Sequence, residues 1–100
     1  MSKDCLVILN VPSALEEAVV DCLLTLESEH GFTSFPVNVH HHKNKGLSLA
    51  EQVSGRQKQF CFQIHIDEAG AGVLLKRLQE EFSGAGVQFW VVPMLGSSEI

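Results

Sequence analysis

Two helix-like stripes separate four β-prone runs in this chain, and that interleaving limits the fold more than composition does. Segment 5–11 (CLVILNV) is a nearly unbroken apolar run, suited to a central strand covered on both faces, and Pro12 stops it. Ser13 with Glu16 forms a capping-box pattern, and Leu15, Ala18, Val19, Cys22, Leu23 and Leu26 then recur at helical spacing. The pattern predicts a helix over 13–28, with Gly31 beyond its end. Segment 32–42 alternates as a strand: Phe35, Val37, Val39 and His41 on one side, and Ser34, Pro36, Asn38, His40 and His42 on the other. Pro36 suits an edge position there, because it lacks the N–H that a central strand needs.

Segment 60–67 alternates again, with Phe60, Phe62, Ile64 and Ile66 set against Cys61, Gln63, His65 and Asp67. Asp67 is placed to cap a second helix whose apolar stripe is Ala71, Leu74, Leu75, Leu78 and Phe82; Gly84 ends it. Segment 87–92 (VQFWVV) is the last strand, closed by Pro93.

The order βαββαβ predicts an α+β, ferredoxin-like domain spanning 1–100. Its four-stranded antiparallel sheet carries both helices on one face, above Phe60, Phe62, Ile64 and Ile66. The helix-free face is expected to hold Cys61, Gln63, His65, Asn38, His40 and His42 with alternate residues of the apolar strands. A half-apolar exposed face calls for a covering subunit, and a chain of 100 residues gains stability from assembly.

The formal charge of −5 argues against nucleic-acid or anionic-membrane partners. The apolar runs are too short for a signal segment or membrane insertion. Three widely spaced cysteines without a CxxC pair fit reduced thiols, which makes the cytoplasm the expected compartment.

The 43–58 connection is the first candidate site. It carries Lys43, Lys45, Arg56 and Lys58 against the single acid Glu51, with Gln57 between its last two cations. Long connections of this kind usually carry function, so an arm that binds an anion or a partner is weighed against a solvated hairpin loop. The histidine run is the second. A strand puts His40 and His42 on one face, where a hairpin would bring Cys61 opposite, with His65 further along. Imidazole and thiolate suit Zn, Cu or Ni, and the alternative is a hydrated strand end. Gly70-Ala71-Gly72 invites a phosphate-loop reading, but the third glycine of that fingerprint falls at Leu75, so tight helix–sheet packing explains it better. Neither a Ser–His–acid order nor a paired-carboxylate motif stands out, so no enzyme is expected.

Three pieces of the chain resemble the PII nitrogen-regulatory (GlnB-like) superfamily and its small uncharacterised bacterial PII-like relatives. They are Leu6-Val7-Ile8 with Pro12 before the first helix, Gly31-Phe32-Thr33 entering the second strand, and Ala50-Glu51-Gln52-Val53 with Lys58 in the long connection. The resemblance implies a homotrimer that binds a small effector in subunit clefts and contacts a protein partner through a T-loop at 43–58. The Gly55-Arg56-Gln57-Lys58 run matches a family motif, but at the opposite end of that loop. Ser83-Gly84-Ala85-Gly86 lacks the lysine of nucleotide-binding members, and segment 94–100 lacks their arginine pair, so ATP binding in the PII manner is not expected. The architecture is also similar to that of CutA-type trimers, which makes a metal-binding or metal-tolerance module the alternative function.

Overall fold

The computed structural model describes residues 3–26, 31–40 and 56–100, the side chain of Arg56 excepted. Strand β1 (Asp4–Pro12) leads through a 3-10 turn (Ser13–Leu15) into helix α1 (Glu16–Leu24). Strands β2 (Phe32–His40) and β3 (Arg56–Asp67) form a hairpin, and helix α2 (Glu68–Phe82) and strand β4 (Gln88–Pro93) complete the order. All neighbouring pairs are antiparallel, and the sheet runs β2-β3-β1-β4. This is the expected ferredoxin-like sheet, with β1 and β3 inside and β2 and β4 at the edges.

The core lies between the two central strands and the helices. Cys5, Val7, Leu9 and Val11 of β1 meet Phe62 and Ile64 of β3, beneath Val19, Cys22 and Leu23 of α1 and Ala71, Leu74 and Leu78 of α2. Phe60 and Ile66 pack against the rim of this cluster, and the ring of Phe32 lies 6.2 Å from that of Phe62. Each fully buried aliphatic or aromatic side chain contributes about 1.5–3 kcal/mol relative to exposure, so this layer is the main source of stability.

Local chemistry departs from expectation at several points. The capping box does not form: the Ser13 hydroxyl donates to the Lys58 carbonyl at 2.8 Å, and the chain enters α1 through the 3-10 turn. Helix α1 ends at Leu24, where Thr25 Oγ1 donates to the Cys22 carbonyl; Ser28 lies outside the described residues. Strand β1 is covered on one face only, since Leu6, Ile8 and Asn10 stay half-buried. Strand β3 begins at Arg56 rather than Phe60, because the polar residues Arg56 to Gln59 pair with 37–40 of β2 and extend the ladder. Period-2 alternation without apolar residues reads as loop in a sequence, although the backbone hydrogen bonds are indifferent to it.

Asp67 caps α2 as expected, its Oδ1 accepting from the Gly70 amide at 2.6 Å. A Cβ on Gly70 would sit 2.6 Å from Ile66 Cγ1 and 2.9 Å from Asp67 Oδ1, whereas one on Gly72 would meet open space. Gly70 is therefore spent on the close approach of helix and strand. Gly70→Ala should lose about 1–2 kcal/mol in urea unfolding, despite alanine's better helix propensity. Gly72→Ala should instead gain roughly 0.5–1 kcal/mol, and equal effects at both sites would refute the packing account.

All three cysteines are buried and unbridged. Burial pushes each thiol up; the carboxylates of Glu68, Asp4 and Asp67 add to this at Cys5, and Glu81 adds to it at Cys22. The folded thiols thus stay protonated where unfolded ones ionise, so stability should fall as pH climbs past about 8.5 and be unaffected by the thiols below it. Alkylation by iodoacetamide at pH 8 should be slow in the folded protein and rapid in urea. Fast labelling of Cys61 in folded protein would contradict its burial.

Candidate functional site

The register of the β2–β3 hairpin decides which side chains can act together. Asn38 pairs with Lys58 and His40 with Arg56, while Phe35 pairs with Cys61, Val37 with Gln59 and Val39 with Gln57. Alternation therefore sets Asn38, His40 and Lys58 on the helix side of the sheet, and Val37, Val39, Gln57 and Gln59 on the helix-free side. This corrects the expected faces of β2. Its apolar residues, not its asparagine and histidine, share a face with Cys61, Gln63 and His65.

The correction separates the proposed metal ligands. His40 and Cys61 lie on opposite faces and five positions apart along the hairpin, roughly 16 Å of strand. Cys61 is buried with its thiol pushed up, a poor start for a thiolate ligand. His65 Nε2 lies 2.8 Å from Asp4 Oδ2 at the far end of the sheet. Among the described residues no group of three or more His, Cys, Asp or Glu side chains could hold a metal ion. His42 lies outside them, as do Lys43 and Lys45.

At the base of the 43–58 connection the hairpin and the start of the first helical segment enclose a cavity of about 350 Å³, lined by Ser13, Pro36, Val37, Asn38, Lys58, Gln59 and Phe60. Its lining combines the polar Ser13, Asn38, Lys58 and Gln59 with the apolar Pro36, Val37 and Phe60. The Ser13–Lys58 bond ties β3 to the 3-10 turn, so the cavity is built on core elements. Ser13 and Asn38 were not legible as site residues, because only the pairing register brings them beside Lys58. Gln57 faces away, and its Oε1 accepts from Gln59 Nε2 at 2.8 Å; Gln59 is buried, and its own Oε1 has no partner among the described residues.

A second cavity of about 230 Å³ lies between α2 and β4, lined chiefly by Leu9, Leu75, Leu78, Phe82, Val87 and Phe89. Gly84 and Gly86, at φ +75° and +88°, turn the chain beside it, and the Ala85 amide closes on the Phe82 carbonyl. The Gly-rich stretch thus serves the reversal from helix to strand.

The helix-free face is widely apolar. Phe35 of β2 and Trp90 and Val92 of β4 are 41%, 47% and 43% exposed, with Leu6 and Ile8 half-buried between them. Strand β4 also exposes Phe89 and Val91 on its other side.

The fold recurs in solved structures of low sequence identity. A DUF3240 family protein of Shewanella baltica OS155 superposes with a TM-score of 0.80 at 20% identity, over 100% of this chain and 99% of that one. A proposed PII-like signalling protein of Thermus thermophilus gives 0.64 at 21% identity, over 94% and 88% of the two chains. CutA of Synechococcus elongatus PCC7942 gives 0.65 at 16%, over 98% and 82%. These likenesses establish a fold shared with PII-like and CutA proteins. None of the curated proteins matches. The family model for DUF3240, a protein family of unknown function, matches residues 1–100, and the chain belongs to that family.

Proposed function

We propose that this chain is a PII-like regulatory protein: a cytoplasmic homotrimer, binding rather than catalytic, that takes a small anionic effector at its subunit clefts and contacts a protein partner through 43–58. The observation that carries this reading is the cavity at the base of that segment, whose lining sets Lys58, Asn38 and Ser13 beside Pro36, Val37 and Phe60. A phosphate or carboxylate there would meet the Lys58 ammonium and the Asn38 amide at once, and such charge-assisted bonds are short and strong. Assembly is supported by the apolar helix-free face and by β4, which is half-exposed on both sides. The trimer number rests on the resemblance to PII and CutA proteins. Among the described residues no helix is long and apolar enough to cross a membrane. The metal-module alternative would need a ligand set other than His40, His42, Cys61 and His65, whose described members the hairpin keeps apart.

The test is calorimetric titration with citrate, inorganic phosphate and ATP, then with Zn²⁺, Cu²⁺ and Ni²⁺, alongside light scattering. One of the anions should bind, and Lys58→Ala should weaken it at least tenfold, about 1.4 kcal/mol, at unchanged oligomer mass. A particle of the 11.0 kDa monomer mass at micromolar concentration would defeat the assembly claim. Micromolar metal binding without anion binding would defeat the effector claim.

A further inference from the structure

The charges of this chain are segregated. Four of its seven lysines and arginines lie within 43–58 beside one acid, while the other 84 residues hold three basic residues and eleven acids. The hairpin sorts them further. Lys58 stands opposite Asn38, and one step outward along the same side of the ladder Arg56 stands opposite His40. Between them Gln57, opposite Val39, belongs to the other side, where no charged residue occurs among 37, 39, 57 and 59. The described end of the hairpin therefore has one uncharged side and one side whose ionisable residues are all basic.

We propose that the side of the hairpin carrying His40 and Lys58 is a docking stripe for an acidic, extended segment of a protein partner, with His40 as a contact residue. The inference rests on the partner-contact reading above and names the partner's chemistry. Three features favour an extended peptide over a single small anion. The stripe continues outward from the cavity by a further pair, one two-residue repeat of roughly 6.5–7 Å, so it offers a second position beyond the one at the cavity. Residues at alternate positions of an extended peptide recur at that same spacing, so every second carboxylate meets the next basic position. Lys58 offers a charge that an acidic ligand meets through charge-assisted hydrogen bonds, and His40 adds a ring N–H donor along the same side.

The rest of the surface sharpens the choice. Glu17 and Asp21 of α1 and Glu80 and Glu81 of α2 are exposed, so an acidic segment is repelled from the helices and steered to the stripe. An acidic protein thus offers an acidic partner one face rather than its whole surface.

The experiment uses the full chain and a fluorescent ten-residue peptide of alternating Glu and Ser, read by anisotropy at low and at physiological salt. Wild type should bind, and affinity should fall steeply with salt. His40→Glu and Lys58→Glu should each weaken binding at least tenfold, and Lys76→Glu on the exposed face of α2 less than threefold, all at wild-type oligomer mass and circular dichroism. If Lys76→Glu weakens binding as much as Lys58→Glu, only net charge is being read and the stripe is wrong. Absence of peptide binding at low salt, with citrate or phosphate still bound, overturns the stripe and leaves the effector site standing. Loss of anion binding with peptide binding retained does the reverse.

Discussion

Strand β3 is the member on which the rest depends. It is hydrogen-bonded along both edges, to β1 from Gln59 to Asp67 and to β2 from Arg56 to Ile64. One side of it supplies Phe62 and Ile64 to the core, and the other sets Gln57, Gln59, Cys61, Gln63 and His65 in a polar column down the helix-free face. Because side chains alternate, a slip of one residue in either ladder would exchange those sets and place amides among the leucines. The buried Phe62 and Ile64 lock the register, and the outer end of the hairpin inherits it. The position of Lys58 over its cavity is thus fixed by core packing several residues away.

The reach of the helices explains the two edges. Both helices pack over β1 and β3, and neither shields Ser34, Pro36 and Asn38 on the helix side of β2, which are exposed. An edge strand with solvent on its helix side can keep its apolar residues only on the other side, and Phe35, Val37 and Val39 are there. Those residues gain little from the monomer. Together with Trp90 and Val92 at the opposite edge, they make the helix-free face a surface whose burial a single copy does not complete.

Element order, the edge placement of Pro36, the Asp67 cap, the role of Gly70 and the burial of Phe62 and Ile64 were legible in the sequence, because each follows from local chemistry or from periodicity on its own strand. The face of β2 was not. Its alternation is clear, but which side meets the helices depends on its register with β3, and the long 43–58 connection leaves that register open in the sequence. The residue assignment failed for the same reason. Sequence distance alone puts His40 near Cys61 across a hairpin, whereas the pairing gives Cys61 to Phe35 and His40 to Arg56. The capping box failed differently. Ser13 had two uses for one hydroxyl, and the carbonyl of Lys58, 45 residues away, is invisible to a local motif.

That long-range bond also bears on how a signal could leave the cavity. Ser13 lies where β1 gives way to the first helical segment, and Lys58 lies where the core part of β3 gives way to the protruding hairpin. A ligand that competed for either group would act where the core part of β3 meets the outer pairs 37–40 with 56–59, among whose described side chains no apolar one is fully buried. The core beyond that junction is close-packed, with Val11 and Phe62 fully buried, so it resists the displacement. A ligand at this point would therefore act on the outer pairs of the β2–β3 ladder rather than on the core packing, as the regulatory role proposed above requires.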